Sequence, residues 1–378
     1  MKVTRTDVLL PLALAGALAA SACGSNNNAA SSSTASAGGR ASTARTPGSD
    51  AGAKADCGTG TLSGAGSSFQ DPMQQKWIAG YTGRCPGTQI NYQAVGSGQG
   101  IQTFGAGQID FAGSDVTMKP DEQAAADKRC GSTAIHIPVT AGGVAVTWNL
   151  PGVSQLKFSP NTLAKIFQGK IKTWDDAAIK ADNPGVALPG VPITVVYRSD
   201  ASGTNAVFTS YLAAAAPKAW TLGSGKTVQW PTGQGAAKNQ GVSAAVAQTP
   251  GAITYTEQGF AEQHKLPTAQ VKNGAGQYVA LSATTVSQAL TAATVRPASA
   301  GDLTTHIDFQ PRQGYPISTV SYVIVCTTYP ASFHGVDLLK SYLRYATTTG
   351  QQAANSLGFA PLPMSLQTKA ESSIAGIR

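Results

Sequence analysis

Three short segments of the sequence place Ser, Thr or Gly between a predicted strand and a predicted helix. They are residues 67–69 (Ser-Ser-Phe), 97–100 (Ser-Gly-Gln-Gly) and 202–204 (Ser-Gly-Thr). The N-terminus of a helix carries unpaired N–H groups and a partial positive charge, so it attracts anions. Hydroxyl groups add hydrogen-bond donors, and Gly lets the backbone approach a ligand closely. A helix cap alone would explain any one segment, but the three together predict an anion site.

Arg198 follows a predicted strand and stands two residues before Asp200. A guanidinium group can bind two oxygens of an anion at once, and a neighbouring carboxylate can hold it in place. The alternative is an ion pair on the surface, which would contribute little to stability. Together with the three segments, this arginine favours an anion site.

Asp115 ends the segment 113–115 (Gly-Ser-Asp), directly after another predicted strand. A carboxylate beside an anion is unfavourable unless the anion carries a proton whose hydrogen bond the carboxylate accepts. Phosphate keeps at least one proton near neutral pH and sulfate keeps none, so Asp115 predicts phosphate as the ligand. A site built around a ligand O–H rejects analogues lacking it by roughly 10⁴–10⁵-fold in favourable cases. The alternative role for Asp115 is a helix cap.

Strands and helices are predicted to alternate through the part of the chain that carries these residues. The first strands are predicted at 59–63, 89–94 and 109–112, with helices at 70–81 and 101–106. This alternation predicts a parallel sheet covered by helices, and ligands of such sheets bind at the strand ends. Further strands are predicted at 193–197 and 252–255, and further helices at 161–167, 205–215 and 336–350.

Two long apolar runs, 135–148 and 317–326, are expected to carry the chain between two lobes. The first run is expected to break at Gly142 and Gly143. A chain of 378 residues is also long for a single core. The sequence therefore predicts an α/β protein with lobe I at 57–142 and 319–378 and lobe II at 143–318.

The N-terminal residues have the features of an export signal. Lys2 and Arg5 precede an apolar run at 8–20 that is short for a membrane span, and small residues lead to Cys23. This order is similar to a bacterial lipoprotein signal at 1–23, in which Cys23 is lipidated; an ordinary secretory peptide is the alternative. Residues 24–56 have few apolar side chains, which predicts a flexible tether. The expected location is the outer face of the cytoplasmic membrane.

The four remaining cysteines predict two disulfides, because an even number in an exported chain is typical of a disulfide framework. They are Cys57, Cys85, Cys130 and Cys326. Three pairings are possible. The pairs Cys57–Cys85 and Cys130–Cys326 are favoured, because the first two cysteines precede strands that are expected to start side by side. The cysteine spacing matches no zinc pattern and the four histidines are isolated, so neither a metal nor a cofactor is expected.

The charge distribution argues against a nucleic-acid partner. The formal net charge is +8, but charged residues make up only 12% of the chain and the Lys and Arg residues are scattered. Nucleic-acid binding would require basic runs or a basic stripe. A mildly cationic surface can still raise the local concentration of a small anion.

The chain resembles the phosphate-binding lipoproteins of bacterial phosphate-specific ABC transporters, the PstS family, in their actinobacterial form. The resemblance covers most of residues 57–378. It rests on Gly-Ala-Gly-Ser-Ser-Phe at 64–69, Arg-Ser-Asp-Ala-Ser-Gly-Thr at 198–204, and the segments 96–98, 113–115, 169–176 and 250–253. It implies a two-lobed type II periplasmic-binding-protein fold, each lobe a mixed β-sheet flanked by helices, with two hinge strands. It also implies capture of inorganic phosphate and its delivery to the permease of an ABC importer.

By the same resemblance, Asp115 accepts the phosphate proton and Arg198, oriented by Asp200, pairs with phosphate oxygens. The other phosphate ligands that it implies are Ser67, Ser68, Phe69, Ser97, Ser202, Gly203 and Thr204. The chain departs from the family at Ser68, where Thr is frequent, and at Ala201, where Gly is frequent. Both changes are expected to preserve the site.

Two other functions remain open on sequence alone. A secreted phosphatase would need a nucleophile with a base, or metals, but the chain has no GxSxG, no HExxH and no cluster of His and Asp. Residues 223–227 (Gly-Ser-Gly-Lys-Thr) are similar to the end of a nucleotide P-loop, but Trp220 stands where that motif needs Gly. The other alternative is a different oxyanion, such as sulfate or molybdate, against which Asp115 argues.

Overall fold

The structure, a computed structural model, describes residues 57–378. The predicted signal and tether, with Cys23, lie outside this part of the chain. Within it, no helix combines the length and the apolar character that a membrane crossing requires. The helices α1 to α11 are Asp71–Arg84, Ser97–Gly105, Pro120–Cys130, Pro160–Phe167, Ala177–Asp182, Gly203–Ala215, Lys238–Gln248, Gln258–Gln263, Ala283–Leu290, Val336–Thr347 and Met364–Ala375. Two 3-10 helices, Thr349–Ala353 and Asn355–Leu357, follow α10.

Eight strands form one mixed sheet in the order β2-β1-β3-β13-β4-β8-β6-β7. The strands β1 to β13 are Gly60–Gly66, Thr88–Ala94, Phe111–Ser114, Ala134–Asn149, Lys157–Phe158, Thr194–Arg198, Gln234–Ala236, Ala252–Glu257, Gln270–Lys272, Tyr278–Val279, Thr294–Val295, Thr305–His306 and Ser318–Cys326. β1 pairs in parallel with β2 and β3, and β6 with β7 and β8, whereas β13 and β4 are antiparallel to their neighbours. The mixed sheet flanked by helices confirms the predicted fold class.

The long strand β4 runs from one half of the sheet into the other. Residues 134–143 pair with β13, and residues 144–149 pair with β8. The predicted break at Gly142 and Gly143 is wrong, because the strand is continuous through both glycines. They are needed for close packing instead: a Cβ at position 142 would lie 2.8 Å from the ring of Phe69, and one at 143 would collide with Leu281.

Local sequence explains how the helices beside the predicted site begin. Pro72 occupies the first turn of α1, where its missing N–H costs no hydrogen bond. Gly96 has a φ of 92°, which glycine adopts without strain, and it turns the chain from β2 into α2. Ser202 caps α6 by accepting a hydrogen bond from the N–H of Asn205 at 3.0 Å. A residue at or next to the N-terminus therefore favours the start of each of these helices.

Aromatic side chains pack the helices against the sheet. Phe69 lies edge-on to Phe359 with ring centres 5.4 Å apart, and Tyr81 of α1 lies edge-on to Tyr342 of α10 at 5.6 Å. All four rings are buried. Burial of one such side chain contributes roughly 1.5–3 kcal/mol. The second contact joins α1 to α10, the helix that corresponds to the one predicted at 336–350.

Both predicted disulfides are formed. Cys57 is bonded to Cys85, and Cys130 to Cys326. The physical reason given for the first pair is also confirmed, because β1 and β2 are parallel neighbours with Gly60 opposite Thr88. The first bond ties the entry into β1 to the end of α1, and the second ties the end of α3 to the end of β13.

Candidate functional site

The predicted anion ligands lie at the ends of four strands, β1, β2, β3 and β6. Residues 67–69 lie between β1 and α1, and Asp115 directly follows β3. Ser97 is the first residue of α2, Arg198 is the last residue of β6, and residues 202–204 begin α6. The sheet brings together segments that are distant in sequence, and the N-termini of α2 and α6 bring their partial positive charges with them.

Asp115 is buried, and its two carboxylate oxygens have different surroundings. Oδ1 accepts hydrogen bonds from Ser67 Oγ and Ser321 Oγ, both at 2.6 Å. Oδ2 has only a long contact of 3.5 Å with Ser97 Oγ. A carboxylate oxygen offers about two acceptor positions. Oδ1 is therefore filled by protein donors, and Oδ2 keeps the capacity to accept from a ligand.

The N-terminus of α6 lies directly against this carboxylate. A Cβ at Gly203 would lie 2.6 Å from Asp115 Oδ2 and would also collide with Ser97 Oγ. Only glycine fits this position. The close approach brings the positive end of α6 to the oxygen of Asp115 that remains free to accept.

Burial raises the pKa of Asp115 above its ordinary value, against the lowering effects of the Ser321 and Ser67 hydroxyls and of the Arg198 charge. The ionised form of Asp115 is therefore disfavoured relative to the protonated form as long as Oδ2 accepts no strong hydrogen bond. A ligand that brings a proton to this oxygen can relieve that cost.

Arg198 is buried, and its guanidinium is held from two sides. Its Nε and Nη2 donate to the two oxygens of Asp200 at 2.8 and 2.6 Å, and its Nη1 donates to Asn239 Oδ1 at 3.3 Å. Three of the five N–H groups of a guanidinium are engaged in these bonds, which leaves one on each Nη. Burial acts to raise the pKa of Asp200, but the bonds and charge of Arg198 outweigh it and lower that pKa. Asp200 thus orients Arg198 as a fixed cation.

Ser68, Ser202 and Phe69 use part of their hydrogen-bonding capacity within the protein. Ser68 Oγ accepts from the backbone N–H and the side-chain Nδ2 of Asn239, both at 3.2 Å. The N–H of Ser202 donates to a backbone carbonyl at 2.9 Å, while its Oγ caps α6. The N–H of Phe69 donates to Ser67 Oγ at 3.0 Å. The predicted role of Phe69 as a backbone donor to the ligand stays a prediction.

Sequence reasoning missed two residues of this site. Asn239 is the second residue of α7, a helix that the sequence did not predict, and its Nδ2 also donates to Thr204 Oγ1 at 3.3 Å. No local pattern distinguishes it from other polar residues in the first turn of a helix. Ser321 lies within the apolar run 317–326, so a buried hydroxyl in an otherwise apolar strand was the available signal.

Residues 223–227 do not form a nucleotide P-loop. They lie in the connection between α6 and β7, without the strand-to-helix context that the motif needs. Lys226 instead forms an ion pair with Glu122 of α3 at 2.6 Å. The pair borders a cleft of about 720 Å³ that also reaches Gly98 and Asp200.

The histidine that the structure buries has a packing role. His136 contacts Asp302 through Nδ1 at 2.9 Å and accepts the Met118 N–H through Nε2 at 3.0 Å. Across residues 57–378, no three His, Cys, Asp or Glu side chains lie close enough together to hold a metal ion. The predicted anion ligands offer hydroxyls, backbone N–H groups, the guanidinium of Arg198 and the acceptor carboxylate of Asp115.

Comparisons with known proteins show the family to which the chain belongs. Residues 51–349 match the family model described as the PBP superfamily domain. Phosphate-binding protein PstS 3 of Mycobacterium tuberculosis is 40% identical over 383 residues, covering both chains completely. Phosphate-binding protein PstS of Pasteurella multocida is 36% identical and covers 80% of this chain and 86% of its own. The chain belongs to the PBP superfamily and, within it, to the PstS family of phosphate-binding proteins.

Solved structures share the fold. The periplasmic phosphate-binding protein PfluDING, bound with phosphate, has a TM-score of 0.67 at 24% identity and covers 83% of this chain and 93% of its own. A phosphate-binding protein from Stenotrophomonas maltophilia has a TM-score of 0.66 at 20% identity and covers 83% and 94%. At these identities, the similarity establishes the architecture.

Proposed function

We propose that this protein captures inorganic phosphate and delivers it to the permease of an ABC importer. The observation that carries the proposal is the asymmetry of Asp115, whose Oδ1 is filled by two hydroxyls while Oδ2 is left to accept. A single acceptor surrounded by donors matches an anion with one O–H and several charged oxygens. The relatives named phosphate-binding protein support the same ligand.

In this proposal, each group of predicted ligands has its own role in binding phosphate. Arg198 contributes the positive charge and the N–H groups that Asp200 and Asn239 leave open. Hydroxyls and N–H groups of Ser68, Phe69, Ser97 and residues 202–204 donate to the remaining oxygens. Ser67, a predicted ligand, already donates its hydroxyl proton to Asp115 Oδ1 and its N–H to the Gly113 carbonyl. Asp115 Oδ2 accepts the phosphate proton. Sulfate lacks that proton, so its oxygen would meet a lone pair and a like charge at Oδ2.

The proposal also includes the two lobes, 57–142 with 319–378 and 143–318. β4 joins the two halves of the sheet and supplies one hinge strand. Contacts across the cleft support closure over the ligand: the N–H of Gly98 donates to the Ala201 carbonyl at 2.8 Å, and Ser68 meets Asn239. Opening would separate these contacts and release phosphate.

The proposed function is binding of phosphate and not hydrolysis of a phosphate ester. A serine nucleophile needs a base within hydrogen-bond reach. Ser67 donates to the buried Asp115, and Ser68 accepts from Asn239 rather than from an imidazole. Ser68 therefore has no base as its partner, and the carboxylate that holds the Ser67 proton serves in this proposal as the acceptor of the phosphate proton.

The cellular setting in this proposal rests on the N-terminal sequence. Residues 1–23 act as a lipoprotein signal, Cys23 carries the lipid, and residues 24–56 tether the folded part to the outer face of the cytoplasmic membrane. A tethered carrier would remain close to the permease. Labelling with a radioactive fatty acid tests this, because Cys23→Ser should abolish incorporation and release the protein from membranes.

Native mass spectrometry and calorimetry test the ligand. The purified protein should carry a mass increment of one phosphate, and after denaturation and refolding it should bind phosphate with a stoichiometry of one. Sulfate at a thousandfold higher concentration should hardly compete. Equal affinities for the two anions would refute the role of Asp115, and sustained turnover of a chromogenic phosphate ester that is lost in Ser68→Ala would favour an enzyme.

A further inference from the structure

Asn239 contacts three of the proposed phosphate ligands from a fully buried position. Its Nδ2 lies 3.2 Å from Ser68 Oγ and 3.3 Å from Thr204 Oγ1, and its Oδ1 lies 3.3 Å from Arg198 Nη1. Ser68 belongs to the proposed lobe I, whereas Asn239 and the other two belong to lobe II. The amide is therefore a junction between the halves of the site.

The orientation of the Asn239 amide is determined by its other neighbours. Oδ1 accepts from Thr256 Oγ1 at 3.2 Å and from the Glu257 N–H at 3.3 Å, in addition to Arg198. A flipped amide would direct its NH₂ group at the N–H donors of Glu257 and Arg198. The Nδ2 atom is therefore the one that faces the two hydroxyls, and it acts as a donor to both.

Donation by Asn239 restricts what those hydroxyls can do. A hydroxyl has one proton to donate and about two positions at which it accepts. Ser68 Oγ accepts from both the backbone N–H and the Nδ2 of Asn239, so its proton must point away from both. Thr204 Oγ1 likewise accepts from Nδ2, which leaves its proton for another acceptor.

We propose that Asn239 is a positioning residue that holds the Ser68 and Thr204 hydroxyls as donors to phosphate. This inference rests on the proposed function. It complements the arrangement around Asp115, where Ser67 and Ser321 direct their protons to Oδ1 and leave Oδ2 as the acceptor. Asn239 fixes the donors, Asp115 fixes the acceptor, and the two together present the pattern of a singly protonated tetrahedral anion.

The two hydroxyls depend on the Asn239 side chain to different extents. Ser68 keeps the backbone N–H of residue 239 when that side chain is replaced, whereas Thr204 loses its donor. Asn239→Leu, which has a similar volume, also removes the long 3.3 Å contact with Arg198 Nη1, but Asp200 still holds that guanidinium at 2.8 and 2.6 Å. The variant should therefore act mainly through Thr204. Loss of one oriented hydrogen bond to an anion should weaken phosphate binding by roughly 10-fold.

Titration calorimetry on the full-length protein tests this inference with phosphate and sulfate as probes. Asn239→Leu should weaken phosphate binding by roughly 10-fold, and sulfate binding should remain as far below phosphate binding as in the wild type. In a Thr204→Val background, Asn239→Leu should have almost no further effect; in a Ser68→Ala background, most of its effect should persist. Asn183→Leu is the matched control, because Asn183 is buried and bonded to Lys157 and Ile179 away from the cleft.

The outcomes separate this inference from the proposed function. A wild-type protein that binds no phosphate would overturn the proposed function, and this inference with it. Binding by the wild type with unchanged affinity in Asn239→Leu, or equal effects in both backgrounds, would overturn the inference alone. Should Asn239→Leu fail to fold, neutron diffraction of the wild-type phosphate complex decides. Deuterons of Ser68 and Thr204 directed at phosphate would support the inference, and deuterons directed at Asn239 would overturn it.

Discussion

Replacing Asp115 by Asn should convert a phosphate-selective site into a general oxyanion site. Asparagine keeps the size of the side chain, and its carbonyl oxygen can still accept from Ser67 and Ser321. The other atom changes from Oδ2, an acceptor, to an NH₂ group, a donor. An oxygen of sulfate would then meet a donor where the wild type presents a like charge.

The magnitude follows from two opposing contributions. Phosphate loses a hydrogen bond to a charged acceptor, which is worth about 1.5–3 kcal/mol, but it also loses a nearby negative charge. Its affinity should therefore fall by no more than about 100-fold. Sulfate gains a donor and loses the repulsion, so the ratio of phosphate to sulfate affinity should fall by at least about 100-fold.

Calorimetric titration of wild type and Asp115→Asn with both anions provides the measurement. Asp182→Asn is the control, because Asp182 is also buried but bonds Thr162 and Tyr278 away from the cleft. It should leave the affinity ratio unchanged. If the ratio of phosphate to sulfate affinity in Asp115→Asn stays within threefold of the wild-type ratio, Asp115 does not recognise phosphate by its proton.

Three further predictions concern stability and release. Burial raises the pKa of Glu257 to about 8, so the free-energy cost of its buried charge grows as pH rises from about 5 to 8. Glu257→Gln removes that cost and should raise the melting temperature progressively over this range and by a constant amount above it. A gain in melting temperature that does not depend on pH would contradict this. Removing Cys130–Cys326 should lower the free energy of unfolding in urea by about 2 kcal/mol more than removing Cys57–Cys85. The reason is that the two disulfides span 196 and 28 residues, and the longer loop restricts the unfolded chain more. A larger loss on removing Cys57–Cys85 would contradict this. Lys226→Met removes the ion pair between Lys226 of proposed lobe II and Glu122 of proposed lobe I, and it should speed phosphate release in stopped-flow traces roughly threefold to fivefold. The control Lys218→Met, a change on the surface, should leave the release rate unchanged. An unchanged release rate in Lys226→Met would exclude a role for the ion pair in closure.

The position of the loops proposed to bind the anion could be predicted because their signals are local. Ser, Gly and Thr before a helix describe a helix N-terminus wherever it lies, and the predicted strands around residues 67 and 97 were close to the observed β1 and β2. The first disulfide was predictable for a similar reason, since Cys57 and Cys85 precede two strands that pair side by side.

The rest of the site depends on contacts between distant residues. Asn239 meets Ser68 across 171 positions, and Ser321 meets Asp115 across 206. No local pattern encodes either meeting. The wrong break in β4 has the same origin: Gly142 is small because the ring of Phe69 packs against it, and a pair of glycines in the sequence alone is more typical of a turn.

A crystal structure of the phosphate complex at a resolution that locates protons tests the central claim most directly. One phosphate oxygen should lie about 2.5–2.7 Å from Asp115 Oδ2 with the proton between them, and Arg198 should contact two other oxygens of the same phosphate. A phosphate bound elsewhere, or one that directs only unprotonated oxygens at Arg198 while Asp115 Oδ2 contacts none of them, would contradict it.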